Sequence, residues 1–144
     1  MEENLFSGRT AAFFDFDRTL IGVNSGSQWV KYERRAGRIS RWQLAMASTF
    51  FLRYHLSLID MPQAMGKAIS TVAGQREEVL AQRTHDWYHS EVRQHLLPAA
   101  LEAVERHREL GHPLILLTTS SPCLGKAVME DLRLDAAGCT VFEV

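Results

Sequence analysis

Two aspartates separated by one residue are the strongest chemical feature of the sequence. Asp15 and Asp17 follow a short apolar run in the stretch AAFFDFDRTL, residues 11–20. An apolar run that ends in charge is typical of a buried strand whose carboxyl end opens onto a site. Since side chains at positions i and i+2 of a strand share a face, both carboxylates can address one point. Two such anions repel each other, so the pair requires a cation, a shared proton or a bound ligand to offset the repulsion.

A solvated surface pair is the alternative interpretation of these two carboxylates. Phe13, Phe14 and Phe16 surround the pair in the sequence. Aromatic side chains of this size are mostly buried, so they predict that the pair is embedded in the core. The stretch therefore predicts a functional site.

A second apolar run ends in hydroxyl groups instead of carboxylates. The stretch PLILLTTSSP, residues 113–122, predicts a strand followed by four consecutive hydroxyl residues, Thr118 to Ser121. A helix is predicted directly afterwards, from Cys123 to about Leu132. Hydroxyls and main-chain N–H groups at such a junction suit an anion, because a helix N-terminus carries partial positive charge.

The long segment between the two predicted strands has helical patterns and helix breakers. Capping residues, glycines and a proline predict four helices, which run from a cap at Ser27 to about Ala36, from a cap at Ser40 to about Leu58, from Asp60 to about Gly74, and from Gln75 to about Gln94. This block is too long for one crossover helix and predicts a separate small helical cap.

A helix from Pro98 to about Leu110 precedes the second strand, and GCTVFEV, residues 138–144, predicts a third short strand. Alternation of helix and strand is typical of a parallel sheet. The sequence therefore predicts an α/β protein in which residues 1–25 and 96–144 form a partial α/β core and residues 26–95 form an inserted helical cap.

The predicted sheet brings the aspartates and the hydroxyl residues together. Ligands of open parallel sheets bind beyond the carboxyl ends of the strands, so both groups are expected around one crevice. Mg²⁺ prefers hard oxygen ligands and commonly binds through one or two carboxylates together with phosphate and water. One aspartate can then attack phosphorus as a nucleophile, and the other can donate a proton to the leaving oxygen.

Composition excludes several other classes of protein. The 144 residues fit one domain, 46% of them are hydrophobic, and the formal net charge of −1 gives no reason to invoke nucleic acid. The longest apolar region, residues 44–59, is interrupted by Arg53 and His55 and is too short to predict a membrane span. Cys123 and Cys139 do not form a CxxC motif, and the N-terminus does not resemble a signal peptide. These features predict a cytoplasmic protein with reduced thiols, and they leave its oligomeric state open.

The residues DFDRT resemble the first motif of haloacid dehalogenase (HAD) superfamily phosphohydrolases, hhhhDxDx[TV], and LILLTTSSP resembles their second motif. TSSP preceded by a helix ending in ELGH is similar to subfamily IB, which includes the phosphoserine phosphatases and has an all-helical cap between these motifs. The resemblance covers essentially the whole chain. It implies a HAD-like Rossmannoid sheet and Mg²⁺-dependent hydrolysis of a small phosphorylated metabolite through an aspartyl-phosphate.

The same resemblance implies roles for individual residues. Asp15 corresponds to the nucleophile, and Asp17 to the general acid and base. Both would hold Mg²⁺, Asp17 through its main-chain carbonyl. Thr119 would bind the phosphoryl group with help from the backbone around Ser120, and Thr19 would brace the turn that holds the two aspartates.

Two later motifs of the superfamily are missing from the sequence. These are a third motif with a lysine and a fourth motif with an acidic pair, commonly GDxxxD. Lys126 and the pair Asp131 and Asp135 are the candidates for replacing them, and helix-surface charges are the alternative interpretation. The chain is therefore expected to end early, with weak or no turnover. A non-catalytic phosphate-binding remnant and a phosphotransferase are the alternative functions.

The segment after the first motif bears on the substrate. Phosphoserine-specific relatives carry an acidic residue there, whereas this sequence has Ile21-Gly22-Val23-Asn24-Ser25. Arg18 also differs from the small residue that is common in those enzymes. The sequence therefore does not support phosphoserine as the substrate.

Overall fold

The computed structural model describes residues 10–56 and 74–141. Its helices and strands, in chain order, are β1 (Ala12–Asp15), α1 (Ser25–Arg35), α2 (Arg41–His55), α3 (Glu77–Trp87), a π-helical turn (Tyr88–Val92), a 3-10 turn (Arg93–His95), α4 (Pro98–Glu109), β2 (Leu114–Leu117), α5 (Pro122–Leu132) and β3 (Ala136–Gly138).

The three strands form one parallel sheet in the order β1-β2-β3. Asp15, the last residue of β1, is in register with Leu117, the last residue of β2, and Leu117 is in register with Gly138. The carboxyl ends of the strands therefore lie side by side, each followed by a polar segment. The predicted α/β class with a parallel sheet is confirmed.

The core lies between the sheet and the helices that pack on it. Phe16, Leu116 and Val128 have no solvent exposure and belong to one contiguous hydrophobic cluster. Phe14 is partly buried against this cluster and meets the ring of His107 edge-on, at 6.0 Å between centroids. Burial of these side chains removes apolar surface from water, which is the main source of favourable free energy in folding.

Phe13 departs from the prediction that all three phenylalanines around the aspartates are buried. Its side chain is 60% exposed, whereas Phe16 is 0% exposed. Adjacent residues of a strand point to opposite faces of the sheet. Phe14 therefore faces the helix that carries His107, while Phe13 points to the other face, on the outer strand of the sheet in the described part of the chain.

Helix ends follow the local chemistry, with one change from the prediction. Asn24, and not Ser27, caps α1, because the Asn24 Oδ1 accepts a hydrogen bond from the Ser27 N–H at 2.9 Å. At α2 the predicted cap is present: Ser40 Oγ accepts from the Gln43 N–H, and the Gln43 side chain accepts from the Ser40 N–H. This reciprocal pair is a capping box.

The third strand is shifted from its predicted place. It covers Ala136–Gly138, earlier than the predicted residues 138–144, of which 142–144 lie outside the described residues. Strand pairing with β2 decides its position, since small residues such as Ala136 and Ala137 have little strand preference of their own. The predicted helix from Asp60 to about Gly74 also falls largely outside the described residues.

The segment predicted as one helix from Gln75 to Gln94 consists of α3 followed by the π-helical and 3-10 turns. The division of the chain into a core and an inserted cap stays a prediction. Within residues 10–56 and 74–141, none of the helices combines the length and apolar character that crossing a bilayer demands.

Tyr88, in the π-helical turn, connects this segment to α5. The side chain is fully buried, and its hydroxyl donates a hydrogen bond to Asp131 Oδ2 at 2.9 Å. Arg93 Nε donates to the same carboxylate at 3.0 Å. Burial, together with the hydrogen bond to Asp131, raises the pKa of Tyr88 far above its ordinary value.

This raised pKa predicts a loss of stability at alkaline pH. Below about pH 10 the tyrosine is neutral in both the folded and the unfolded chain, so its contribution to stability is complete. Above that pH the unfolded chain releases the proton and the folded protein keeps it. The free energy of unfolding therefore falls by up to about 1.4 kcal/mol per pH unit on account of this group.

Urea unfolding between pH 8 and 11 measures the effect. Tyr88→Phe is expected to show a shallower alkaline loss of stability than the parent protein. At pH 8 the Tyr88→Phe protein should be less stable by about 1 kcal/mol, because one buried hydrogen bond is lost. Equal alkaline slopes in the two proteins would show that Tyr88 does not cause the loss.

Candidate active site

A crevice of about 310 Å³ opens at the carboxyl ends of the three strands. Its wall includes one carboxylate, one thiol and several hydroxyls, contributed by Asp15, Leu117, Thr118, Thr119, Gly138, Cys139 and Thr140. A water molecule occupies about 30 Å³ in the liquid, so a phosphoryl group and several waters fit in this volume. The parallel register creates the crevice, because it ends the three strands at one level.

Asp15 presents its carboxylate at this crevice. The residue is exposed, and Thr19 Oγ1 donates a hydrogen bond to its Oδ2 at 3.0 Å. Its Oδ1 accepts no hydrogen bond from the residues that the structure describes. The carboxylate is therefore oriented through one oxygen, while the other is available to a ligand.

A tight turn at residues 16–21 follows β1 and precedes α1. The Phe16 carbonyl accepts hydrogen bonds from the N–H groups of Thr19, Leu20 and Ile21, at 3.0 to 3.3 Å. Arg18 has φ of +60°, in the left-handed region that non-glycine residues rarely adopt. Phe16, whose ring is buried, thus anchors this turn, and the two aspartates are its neighbours in the chain.

Asp17 is held by a residue of α1. The Ser25 N–H donates to Asp17 Oδ1 at 2.5 Å, and the Ser25 hydroxyl donates to Asp17 Oδ2 at 3.0 Å. Ser25 is the first residue of α1. The Asp17 carboxylate therefore lies at a helix N-terminus, where partial positive charge and a free N–H favour an anion.

The hydroxyl residues after β2 divide into two groups. Thr119 is exposed in the crevice, and its main-chain N–H and hydroxyl make no hydrogen bond within the described ranges. The Ser120 N–H, in contrast, donates to Thr118 Oγ1 at 3.1 Å, and Ser121 caps α5 by accepting from the Leu124 N–H. Thr119 is therefore the residue of this run whose polar groups are available to a phosphoryl group.

Ser120 contacts the Asp17 side of the site instead of the crevice wall. Its hydroxyl lies 3.2 Å from the Ser25 hydroxyl, which also binds Asp17. Of the four residues that the sequence indicated, the structure thus brings Asp15 and Thr119 together in the crevice and links Asp17 to Ser120 through Ser25. Ser25 was not among the predicted site residues.

The side chains considered as replacements for the two missing motifs have other partners. Lys126 is 72% exposed and pairs with Glu130 at 3.9 Å, one turn along α5. Asp131 binds Tyr88 and Arg93 and is not the solvated side chain that the alternative interpretation predicted. Asp135 Oδ2 accepts from the Leu114 N–H at 2.7 Å, at the start of β2. These contacts assign the two aspartates to packing and sheet formation.

The donor atoms around Asp15 fit Mg²⁺ better than a softer metal. A carboxylate oxygen of Asp15 and the main-chain carbonyl of Asp17 receive no hydrogen bond from the described residues. Both are hard oxygen donors of the kind that Mg²⁺ takes alongside several waters. The Asp17 carboxylate differs, because Ser25 occupies one lone pair on each of its oxygens. Among residues 10–56 and 74–141, no cluster of three histidine, cysteine or acidic side chains is arranged to hold a metal.

The three-stranded parallel sheet and the crevice at its carboxyl edge agree with the resemblance to the HAD superfamily. The family model of haloacid dehalogenase-like hydrolases matches residues 12–144, and the chain therefore belongs to this family. Among curated proteins, none matches the chain.

Several solved structures share the fold. A protein of unknown function from Bordetella pertussis Tohama I is 22% identical, with a TM-score of 0.80 over 93% of this chain and 61% of its own. A phosphoserine phosphohydrolase-like protein from Francisella tularensis is 14% identical, with a TM-score of 0.62 over 93% and 60%. Phosphoserine phosphatase from T. onnurineus is 18% identical, with a TM-score of 0.57 over 99% and 62%.

At these identities the likeness shows the fold alone. The chain spans about 60% of the length of the solved structures that it matches.

Proposed function

We propose that the protein is a Mg²⁺-dependent phosphomonoester hydrolase that acts through an aspartyl-phosphate, with a small phosphorylated metabolite as substrate. Asp15 is the nucleophile, and Asp17 is the general acid and base. Thr119 binds the phosphoryl group. Membership of a hydrolase family and the likeness of the fold to phosphatase-like proteins support the proposal.

One observation carries the proposal more than any other: the exposed residues Asp15 and Thr119 line the same crevice. The Thr119 hydroxyl and main-chain N–H have no hydrogen-bond partner among the described residues. A nucleophile and a phosphoryl-binding group must lie on either side of one phosphorus atom for transfer to occur. The parallel register of β1 and β2, which ends both strands at one level, supports such an arrangement.

The reaction has two balanced steps. In the first, an Asp15 oxygen attacks phosphorus, the bond from phosphorus to the ester oxygen breaks, and Asp17 gives a proton to the departing alcohol. In the second, water attacks the aspartyl-phosphate and returns a proton to Asp17, which releases inorganic phosphate and restores Asp15. The sum is the conversion of a phosphate monoester and water into an alcohol and inorganic phosphate.

Mg²⁺ would be held by Asp15 and the main-chain carbonyl of Asp17, where it would offset the negative charge shared by the phosphoryl oxygens and the nucleophile. The residues themselves provide the orientation. Thr19 holds Asp15 in place through Oδ2, and Ser25 holds both oxygens of Asp17.

A mixture of an aryl phosphate with an excess of the 144-residue protein provides the test of this function. An excess of protein makes slow chemistry visible, which matters because no lysine among the described residues lines the crevice to compensate charge. The expected result is release of inorganic phosphate with Mg²⁺, a fall to background with EDTA, and recovery after excess Mg²⁺ is added. Release that does not depend on Mg²⁺ would contradict the proposal, and no release at all would favour the alternative of a non-catalytic phosphate-binding remnant.

A further inference from the structure

We propose that Ser25 is a positioning residue for the acid–base step, fixing the Asp17 carboxylate and connecting it to Ser120. The inference rests on the proposed function, since it assigns Asp17 as the general acid and base. It goes beyond that function because neither the motifs nor the family match indicates Ser25, which lies eight residues after Asp17.

The contacts of Ser25 are unusually complete for one small residue. It is 2% exposed, its N–H and hydroxyl bind the two oxygens of Asp17 separately, and its hydroxyl is 3.2 Å from that of Ser120. Two hydrogen bonds, one to each oxygen, restrain the rotation of the Asp17 carboxylate about its terminal torsion. Rotation would otherwise be broad for this side chain.

The two bonds leave Asp17 able to react. An ionised carboxylate has about four lone-pair sites, and Ser25 occupies two of them. The remaining sites can take up or present the proton that is exchanged with the ester oxygen and with water.

Because Ser25 belongs to α1, the orientation of Asp17 depends on where α1 packs relative to β1. Asn24 caps this helix, and Ser25 is its first residue. A shift of the helix relative to β1 would remove both hydrogen bonds from Asp17 together. Correct docking of α1 is thus a condition for the acid–base step.

Leaving-group dependence separates this role from general stabilisation of the fold. An alkyl alcohol is a poor leaving group and requires the proton from Asp17, whereas an aryl alcohol departs with little assistance. For Ser25→Ala, the rate of the first step with an alkyl phosphate, measured as alcohol release in a single turnover, is expected to fall about 10- to 100-fold, since a hydrogen bond to a charged group is lost. The same first-step rate with an aryl phosphate should fall less than about threefold, and the substrate concentration at half-maximal rate should stay unchanged for both substrates.

Ser27→Ala is the matched control. Ser27 lies in the same first turn of α1, but its hydroxyl donates to the Asn24 carbonyl and does not contact Asp17. This variant should retain the parent rates with both substrates. Equal losses for the alkyl and aryl phosphates in Ser25→Ala, or equal behaviour of the two variants, would overturn the proposal.

A spectroscopic measurement distinguishes failure of this inference from failure of the proposed function. In protein labelled with ¹³C at the aspartate carboxyl carbons, the Asp17 signal is assigned by its loss in Asp17→Asn. Ser25→Ala should move that signal and Ser27→Ala should not. If the parent protein shows no Asp15-dependent turnover, the proposed function fails, and a moved signal still establishes the Ser25 contact. An unmoved signal overturns the contact itself.

Discussion

Replacement of Asp15 by asparagine is expected to lower kcat for an aryl phosphate by about 10³-fold or more. An amide cannot form the aspartyl-phosphate, and the residual rate would come from binding and charge compensation alone. The isosteric change keeps the side-chain volume and leaves Thr19 with an acceptor at the position of Oδ2. The measurement is phosphate release under single-turnover conditions with Mg²⁺, with near-UV circular dichroism as a check of folding.

Asp17→Asn is the informative comparison for that variant. Aryl phosphates require little assistance to leave, so Asp15 can still be phosphorylated, whereas hydrolysis of the aspartyl-phosphate loses its base. The expected result is a burst of aryl alcohol close to one equivalent of protein, followed by turnover about 10²- to 10⁴-fold below the parent. A comparable burst from Asp15→Asn would show that the nucleophile is another residue.

Replacement of Phe16 by alanine is expected to cost about 3–5 kcal/mol of the free energy of unfolding. The ring has no solvent exposure and lies in the main hydrophobic cluster, so its removal leaves a cavity. Small domains are stable by about 5–15 kcal/mol in total, so this one change removes a large share of stability. Urea denaturation followed by tryptophan fluorescence measures it, since the chain has 3 tryptophans.

Phe13→Ala gives the matched control, because it removes the same side chain from the exposed face of β1. Its cost should stay within about 0.5 kcal/mol, the usual range for surface substitutions. The difference between the two variants tests whether the turn that carries the aspartates is anchored by Phe16 in particular. Equal costs would show that both rings are buried in solution.

The sequence predicted the two strands and their polar ends because both signals are local. Apolar runs that stop abruptly at Asp15 and Thr118 indicate strand and site together, and the parallel arrangement follows from the helix between them. The exposure of Phe13 was not predictable in this way. The exposure of Phe13 depends on which helices cover each face of the sheet. An aromatic residue in an apolar run predicts burial whichever face it lies on.

Ser25 was missed for a related reason. It stands in a cluster of glycine, asparagine and serine that is typical of a loop, and either Asn24 or Ser27 is a suitable cap for the helix that follows. The choice of Asn24 moves the helix start by three residues, and this places the Ser25 N–H and hydroxyl against Asp17. Only the turn after β1, set by the three hydrogen bonds to the Phe16 carbonyl, brings these groups into contact.

During synthesis, β1 is translated well before β2, the strand with which it pairs. Ala12 pairs with Leu114, roughly 100 residues later in the chain, and translation adds about 5–20 residues per second. The strand β1, which carries Asp15, therefore leaves the ribosome on the order of 5–20 s before β2 is available to pair with it. Throughout that interval Phe16 lacks Leu116 and Val128, which share its hydrophobic cluster in the folded protein. Asp15 likewise lacks Thr119, which lines the same crevice. The nascent chain thus gains its crevice, the proposed site of phosphate binding, only when β2 and the residues that follow it have emerged.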